Sequence, residues 1–417
     1  MDSTALSAAL LQHYGFSEFR GGQEDVVRCL LEGRSALAVF PTGGGKSLCY
    51  QLPALLMDGL TLVVSPLIAL MKDQVDALVA KDIAAARLDS TLTAEETMAL
   101  YDRLDVGSLK LLYVAPERLA NEGFLNRLRS LPLAMLAIDE AHCISEWGHN
   151  FRPDYLKLAR LAKDLKIPRV LGLTATATPA VSEDIRKAFD IREEDHTQLS
   201  FHRSNLDMRV TPTSADKRNK LLLDRLQAVP EQPTIVYVTL QHTSEHVATF
   251  LQKAGLNARA YHAGLPNEVR DDCQDSFMSG RTAIIVATIA FGMGIDKSDI
   301  RAIYHYNIPK SLENYTQEIG RAGRDGKSSV CEMLACGDDL TTLENFAYGD
   351  TPTELALRHL VDHLLRQGRE FDVSFYQLST TNDIRPLVVS TLMTYLELEG
   401  IIIATRPFYS EYRVQFI

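Results

Sequence analysis

Short apolar runs punctuate the first part of the chain: Ala36–Phe40, Thr61–Ser65, Leu111–Ala115, Met135–Ile138 and Val170–Leu173. A strand with one wet face alternates apolar and polar positions. These runs do not, so they predict strands covered on both sides. Stretches of helical periodicity lie between them, and the strand–helix rhythm predicts a parallel sheet between layers of helix. A second set follows the polar stretch His202–Asp216, at Thr234–Val238, Ala258–Tyr261, Ala283–Ala287 and Ala302–Tyr306. The pattern therefore predicts two α/β doubly wound parallel-sheet domains in tandem, over residues 1–200 and 201–337. Residues 338–370 read as a helical linker, with Leu355, Leu357, Leu360, Val361, Leu364 and Leu365 as its apolar stripe. Residues 371–417 read as short helices ending at Gly400, then a hairpin of Ile401–Arg406 and Tyr412–Ile417. Helix, glycine and a two-stranded wing suggest a small winged-helix-like C-terminal module; the acidic last helix, with few basic residues to meet phosphates, fits a small packing domain equally well. It stops inside an apolar strand, as a truncated chain would.

Bulk composition changes this picture little. The 417 residues are 46% hydrophobic and 23% charged, which are globular values. No apolar run reaches membrane-spanning length, and residues 1–20 lack the basic start and apolar stretch of a signal peptide. Six scattered cysteines fit reduced thiols inside a cell. The net charge of −11 argues mildly against a polyanionic partner, but net charge does not describe a local groove.

Chemistry enters at Pro41-Thr42-Gly43-Gly44-Gly45-Lys46-Ser47, directly after the first apolar run. Strand, glycine-rich turn and helix start are the setting of a phosphate cradle. Thr42, Gly43, Gly44 and Gly45 bring backbone N–H groups around a polyphosphate, Lys46 reaches its outer phosphates and Ser47 takes a Mg²⁺ position. Asp139-Glu140-Ala141-His142 follows the apolar run 133–138. Asp139 is placed to hold Mg²⁺ with Ser47, and Glu140 to orient or deprotonate the attacking water, with His142 in the same catalytic turn. Thr174-Ala175-Thr176 sits where two hydroxyls could relay nucleotide state between the halves. In the second half, Gln317, Arg321 and Arg324 fall in Gln317-Glu318-Ile319-Gly320-Arg321-Ala322-Gly323-Arg324-Asp325-Gly326. The arginines are three apart, which on a helix puts them on one face, aimed across a cleft at a γ-phosphate. Thr288 to Asp296 is a glycine-rich loop suited to close approach of a sugar–phosphate backbone, with Asp296 available to a ribose hydroxyl or to the arginines.

Order and spacing of these motifs resemble superfamily 2 helicases, and within them the RecQ family of DNA helicases, over residues 10 to 330. Phe40, where a strict phosphate loop has glycine, suits the helicase variant. The resemblance implies RecA-like domains, ATP with Mg²⁺ as cofactors, and 3′-to-5′ movement on single-stranded DNA with unwinding of forked or duplex DNA in repair and recombination. It assigns Phe16, Arg20 and Gln23 to the adenine, Gln23 pairing with its edge. The stretch Cys143 to Tyr155 resembles the family's aromatic-rich loop, with Trp147, His149, Phe151 and Arg152 coupling DNA contact to hydrolysis. Ser65, Lys72, His262 and Thr288 fall in motifs that the family uses near DNA.

The family often carries a four-cysteine zinc module after the core, and this chain departs from that. Cys331, Cys336, His359 and His363 have a loosely metal-like spacing, but residues five apart on a strand face opposite ways, so no zinc site is expected. A monomeric core without a membrane partner is expected, in a bacterial nucleoid or in a nucleus; protein partners are not legible. Two rivals stand: an RNA helicase of the DEAD/DEAH group, and a DNA-stimulated ATPase that anneals or clamps strands with little unwinding.

Overall fold

The structure, a computed structural model, describes residues 2–145, 153–200, 202–292, 297–349 and 351–403. The first sheet comprises β1 (Ala36–Val39), β2 (Leu60–Val64), β3 (Ala85–Leu88), β4 (Leu111–Val114), β5 (Leu133–Ile138), β6 (Val170–Thr174) and β7 (His196–Gln198). Its strands are parallel, in the order β3-β4-β2-β5-β6-β1-β7. The chain enters at β1, beside the β7 edge, crosses to β2 and on to the far edge β3, then returns through β4, β5 and β6, which leaves a crevice beyond the carboxyl ends of the strands.

Double burial explains the unbroken apolar runs. Along β1, Leu37 and Val39 enter one core with Phe124, Leu128 and Ile185 from the helices Glu122–Arg129 and Pro179–Ala188. Ala36, Ala38 and Phe40 enter the opposite core with Val26, Cys49 and Met71, from the helices Gln23–Leu31, Leu48–Leu56 and Ile68–Val79. Each large aliphatic side chain buried this way contributes roughly 1.5–3 kcal/mol relative to exposure.

The second sheet holds β8 (Leu206–Pro212), β9 (Thr234–Tyr237), β10 (Ala258–Tyr261), β11 (Ile284–Ala287), β12 (Ala302–His305) and β13 (Ser329–Ala335). It is also parallel, in the order β10-β11-β9-β12-β13-β8. β8 lies within the stretch that reads as a polar connection. It is an edge strand paired only with β13, and its Met208 and Val210 are exposed, so no burial pattern announces it. β3 and β7 are also absent from the apolar runs: one is alanine-rich, and the other is a short polar edge.

After β13, the helix Asp339–Tyr348 is tied to the second domain. Asp339 accepts from Arg218, from the Asn307 side chain and from the Ile308 backbone N–H. The helices Glu354–Leu365, Phe375–Asn382 and Pro386–Leu398 share a small core of Leu360, Leu364, Leu378, Ile384 and Val389. Leu355 and Leu365 belong to the apolar stripe in sequence, but they point to solvent, because a helical face admits only part of it. This module returns to the first domain, where Glu397 pairs with Lys157 on the helix Pro153–Asp164. The expected wing, from residue 404 onward, lies outside the described residues. No helix among the described residues is long and apolar enough to cross a membrane. All six cysteines are buried free thiols, and no group of three or more His, Cys, Asp or Glu among the described residues could hold a metal.

Candidate active site

β1 ends at Val39 and delivers the phosphate loop to the crevice. Gly43 and Gly45 have φ of 80° and 72°, a region that side chains disfavour. Lys46, half-buried at the loop's end, donates to the Phe40 carbonyl at 3.1 Å. Burial lowers its pKa, and the carboxylates of Glu140 and Asp139 work against that shift.

Those carboxylates stand at the end of β5. Asp139 accepts from the Glu140 backbone N–H at 3.0 Å and from Ser65 Oγ at 3.4 Å, and its own carbonyl accepts from Tyr155 Oη at 3.1 Å. Burial, then the neighbouring Glu140, raises the Asp139 carboxyl to about 6. Burial also pushes Glu140 upward, yet His142, Lys46 and Arg321 hold it below its ordinary value. Glu140 has φ 50° and ψ 44°, a left-handed conformation that costs a non-glycine residue about 1–3 kcal/mol. Strain of that kind, at a buried carboxylate beside a phosphate loop, marks a residue held in position by its surroundings. The sequence carries no sign of it.

His142 Nδ1 lies 3.3 Å from Glu140 Oε2 and donates to Thr174 Oγ1 at 2.9 Å. Burial opposes its charge, but Cys143 and Glu140 outweigh that and lift its pKa to about 10. Thr174 Oγ1 in turn donates to the Thr176 carbonyl at 2.8 Å. The two threonines are thus joined to the acidic turn through the buried His142 ring.

A divalent cation fits this donor set. Glu140 Oε2 is buried with only the His142 ring near it, at 3.3 Å, and the Asp139 carboxyl stays raised despite Lys46. Ser47 and Asp139 are the residues that would hold it.

Across the crevice the second domain presents its arginines. The helix Leu312–Ile319 ends one residue before Gly320, so Arg321 and Arg324 sit in a turn rather than on one helical face. Gly323, at φ 53°, allows that turn; a Cβ there would stand 2.5 Å from Asn205 Nδ2. The turn abuts the phosphate loop: a Cβ added at Gly320 would meet Thr42 at 3.2 Å, and one added at Gly43 would meet Arg324 Cγ and Cδ at 4.0 Å. Arg321 is buried and donates to the Gly292 carbonyl. Gln317, half-buried, lies on the preceding helix. Beside it Glu318 pairs with the buried His305 at 2.8 Å, an anchor that the pattern of residues does not reveal.

Gly292 belongs to the glycine-rich loop that the sequence offers to a sugar–phosphate backbone, but in the structure its neighbour is Arg321. Its φ is 126°, and a Cβ would fall 2.4 Å from Arg321 Nε and 2.9 Å from Tyr237 Oη. Gly292→Ala is expected to cost about 1–3 kcal/mol of stability and to lower ATP turnover by displacing Arg321. Thermal denaturation and steady-state hydrolysis check this, and unchanged values for both would show that Arg321 is not confined there.

The residues given to the adenine behave differently from one another. Phe16 is 52% exposed, a ring open for stacking. Gln23 is buried; its amide donates to the Gly44 and Gly45 carbonyls at 3.2 and 3.0 Å, and its oxygen accepts from the Arg20 backbone N–H. Arg20 donates to the Gly43 carbonyl at 2.8 Å. Both are therefore engaged with the phosphate loop in this structure.

Ser65 and the exposed Lys72 follow β2, while His262 and Thr288 follow β10 and β11. His262 is buried, its Nε2 3.1 Å from Glu245 Oε1. Trp147, His149, Phe151, Arg152 and Asp296 lie outside the described residues.

Fold and site together define the tandem RecA-like core of a superfamily 2 helicase. Residues 20–185 match the DEAD/DEAH box helicase family model, and residues 217–326 match the helicase conserved C-terminal domain. The chain is 41% identical over 357 residues to the probable ATP-dependent DNA helicase RecS of Bacillus subtilis, covering 84% of this chain and 71% of that one. It is 43% identical over 335 residues to the ATP-dependent DNA helicase RecQ of the same organism, covering 80% and 56%. It is 38% identical to the ATP-dependent DNA helicase Q-like 5 of Arabidopsis thaliana, covering 92% and 43%. The chain belongs to the RecQ family, and it spans about half the length of several of these curated relatives. Among solved structures, the DUF1998 helicase MrfA bound to DNA superposes with a TM-score of 0.66 at 20% identity, covering 97% of this chain and 59% of that one. Dbp5 of S. cerevisiae, bound to RNA and ADP BeF3, gives 0.62 at 16%, covering 82% and 90%; these two likenesses speak to fold alone.

Proposed function

We propose that this chain is the motor core of an ATP-dependent DNA helicase, which hydrolyses Mg·ATP between its two domains to move along single-stranded DNA and open forked or duplex DNA. The observation that carries the reading is the arginine turn of one domain seated against Thr42 and Gly43 of the other, with Lys46, Asp139 and Glu140 on the same crevice.

Lys46 leaves the Phe40 carbonyl to meet the β- and γ-phosphates, and the loop N–H groups surround them. Ser47 and Asp139 would hold Mg²⁺, which would supply charge neutralisation at the phosphate oxygens. Glu140, kept ionised by His142 and Lys46, orients the attacking water and accepts its proton. Arg324, from the second domain, stabilises the charge that develops on the transferred phosphoryl group, and Arg321 sets its neighbourhood. Phe16 stacks on the adenine, and Gln23 passes between the loop carbonyls and the adenine edge. The His142–Thr174–Thr176 chain reports the state of the acidic turn toward the second domain.

DNA follows Ser65, Lys72, His262 and Thr288 across both domains, and the aromatic segment around Trp147 and Phe151 couples that contact to hydrolysis. Movement is 3′-to-5′, by a monomer, on chromosomal DNA. The deciding experiment is steady-state ATP hydrolysis with no nucleic acid, with single-stranded DNA, or with single-stranded RNA of equal length. Several-fold stimulation by DNA alone is expected, together with ATP-driven unwinding of a forked duplex. Stimulation by RNA instead would make the chain an RNA helicase, and hydrolysis without unwinding would favour a clamp.

A further inference from the structure

The connection between the two sheets, residues 199–205, lies outside both stretches that match the helicase family models. Within it, Arg203 does something specific. One terminal nitrogen of its guanidinium donates to the Gly320 carbonyl at 3.3 Å, and the other donates to the Gly323 carbonyl. The first of these carbonyls immediately precedes Arg321 and the second immediately precedes Arg324. Two residues on, Asn205 Nδ2 donates to the same Gly323 carbonyl and to that of Lys327, each at 2.9 Å, while its backbone carbonyl accepts from the Ser329 N–H. The interdomain connection therefore grips the arginine turn by its backbone from one side.

The chemistry of the grip is selective. Arg203 is half-buried, and burial lowers its pKa, so this guanidinium gives up part of its hydration to contact neutral carbonyls. A planar fork serves two acceptors at fixed separation, whereas an ammonium is a point donor. The helix has ended, and three glycines (Gly320, Gly323 and Gly326) give the backbone freedom. On its other side the turn is tied by the Gly323 N–H to the Ile300 carbonyl at 2.9 Å, by the Asp325 N–H to the Ser298 carbonyl at 3.2 Å and by the Arg301–Asp325 pair at 2.6 Å; Arg203 and Asn205 hold the carbonyls that these contacts leave. A transition-state contact needs its donor placed to a fraction of an ångström. Holding a glycine-rich turn by its carbonyls achieves that without occupying the arginines themselves.

We propose that Arg203 is a positioning residue for hydrolysis: it fixes the turn that carries Arg321 and Arg324 to the interdomain connection, so that movement of one domain about the other is delivered to the arginines. The inference rests on the ATPase reading above.

The test is a double-mutant cycle on ATP hydrolysis in the full chain. Arg203→Lys is expected to lower kcat by about 100-fold, the scale of a misplaced catalytic group, with ADP affinity unchanged within twofold. Combined with Arg324→Ala, it should lower kcat no further than Arg324→Ala alone, because both act through one contact. Asn205→Ala should show the same non-additivity with a smaller single effect. Losses that multiply in the double variants, or full kcat in Arg203→Lys, would overturn the positioning role and leave the ATPase reading intact. Full kcat in Arg324→Ala would overturn both. A melting curve is the folding control, because a misfolded second domain would lower it whereas a displaced turn would not, and ADP binding checks the first domain.

Discussion

Lys46→Ala should abolish ATP hydrolysis, with kcat lowered roughly a thousandfold or more in the presence of DNA. Lys46 is the cation that the first domain brings to the phosphate loop, and nothing nearby replaces it: Arg20 and Gln23 are occupied with loop carbonyls, and Arg324 arrives from the other domain. Loss of one preorganised donor to developing charge costs about 2.7–4 kcal/mol in a dry site. A second effect adds to it. Lys46 supports the ionised forms of Asp139 and Glu140, and its removal lets burial push both carboxyls upward, toward the protonated form that neither holds metal nor accepts a proton. The fold should survive, since the side chain makes a single hydrogen bond, to Phe40, among the described residues. Steady-state hydrolysis with a melting curve checks this. Retained turnover would mean that the loop does not cradle the reacting phosphates.

Arg324→Ala should lower kcat by about 10³-fold while nucleotide affinity changes little, because arginine fingers act on the transition state and contribute on the order of 10³–10⁵. Arg324 suits this test better than Arg321. Arg321 is buried against Gly292 and Tyr237, so its removal would mix catalysis with local unfolding. The informative comparison is kcat against nucleotide affinity. A raised KM at unchanged kcat would make Arg324 a ground-state phosphate ligand and would remove the finger role.

The strand–turn–helix setting of Lys46 and the strand-end position of Asp139 were legible because buried parallel strands write their burial into consecutive positions. β8 wrote nothing, since an edge strand with exposed Met208 and Val210 has no inward face to conserve its pattern. The arginine pair read as helical because spacing by three is a helical signal, but glycines at 320, 323 and 326 released the backbone. Gln23 shows a different limit. Its contacts with Gly44 and Gly45 join positions more than twenty residues apart and depend on how two helices pack, which no local pattern encodes. The left-handed Glu140 belongs to the same class: its conformation is imposed by the site around it.

The C-terminal module has a mechanical consequence. The chain leaves the second sheet through Asp339, anchored to Arg218, and meets the first domain again where Glu397 pairs with Lys157. The two halves are thus linked at 199–205 and again through the helices that follow β13, in the manner of a belt with two points of attachment. A hinge with one strap can swing through a wide arc, whereas one with two must lengthen the second strap or let go of it. The non-helical stretch 366–374 is the slack available in that strap, and its far end is held by the half-buried Lys157–Glu397 pair and by Arg160 on the Glu397 carbonyl at 3.4 Å. For the proposed motor, the reach of one domain about the other is then limited by how the tail is tethered as well as by the crevice between the domains.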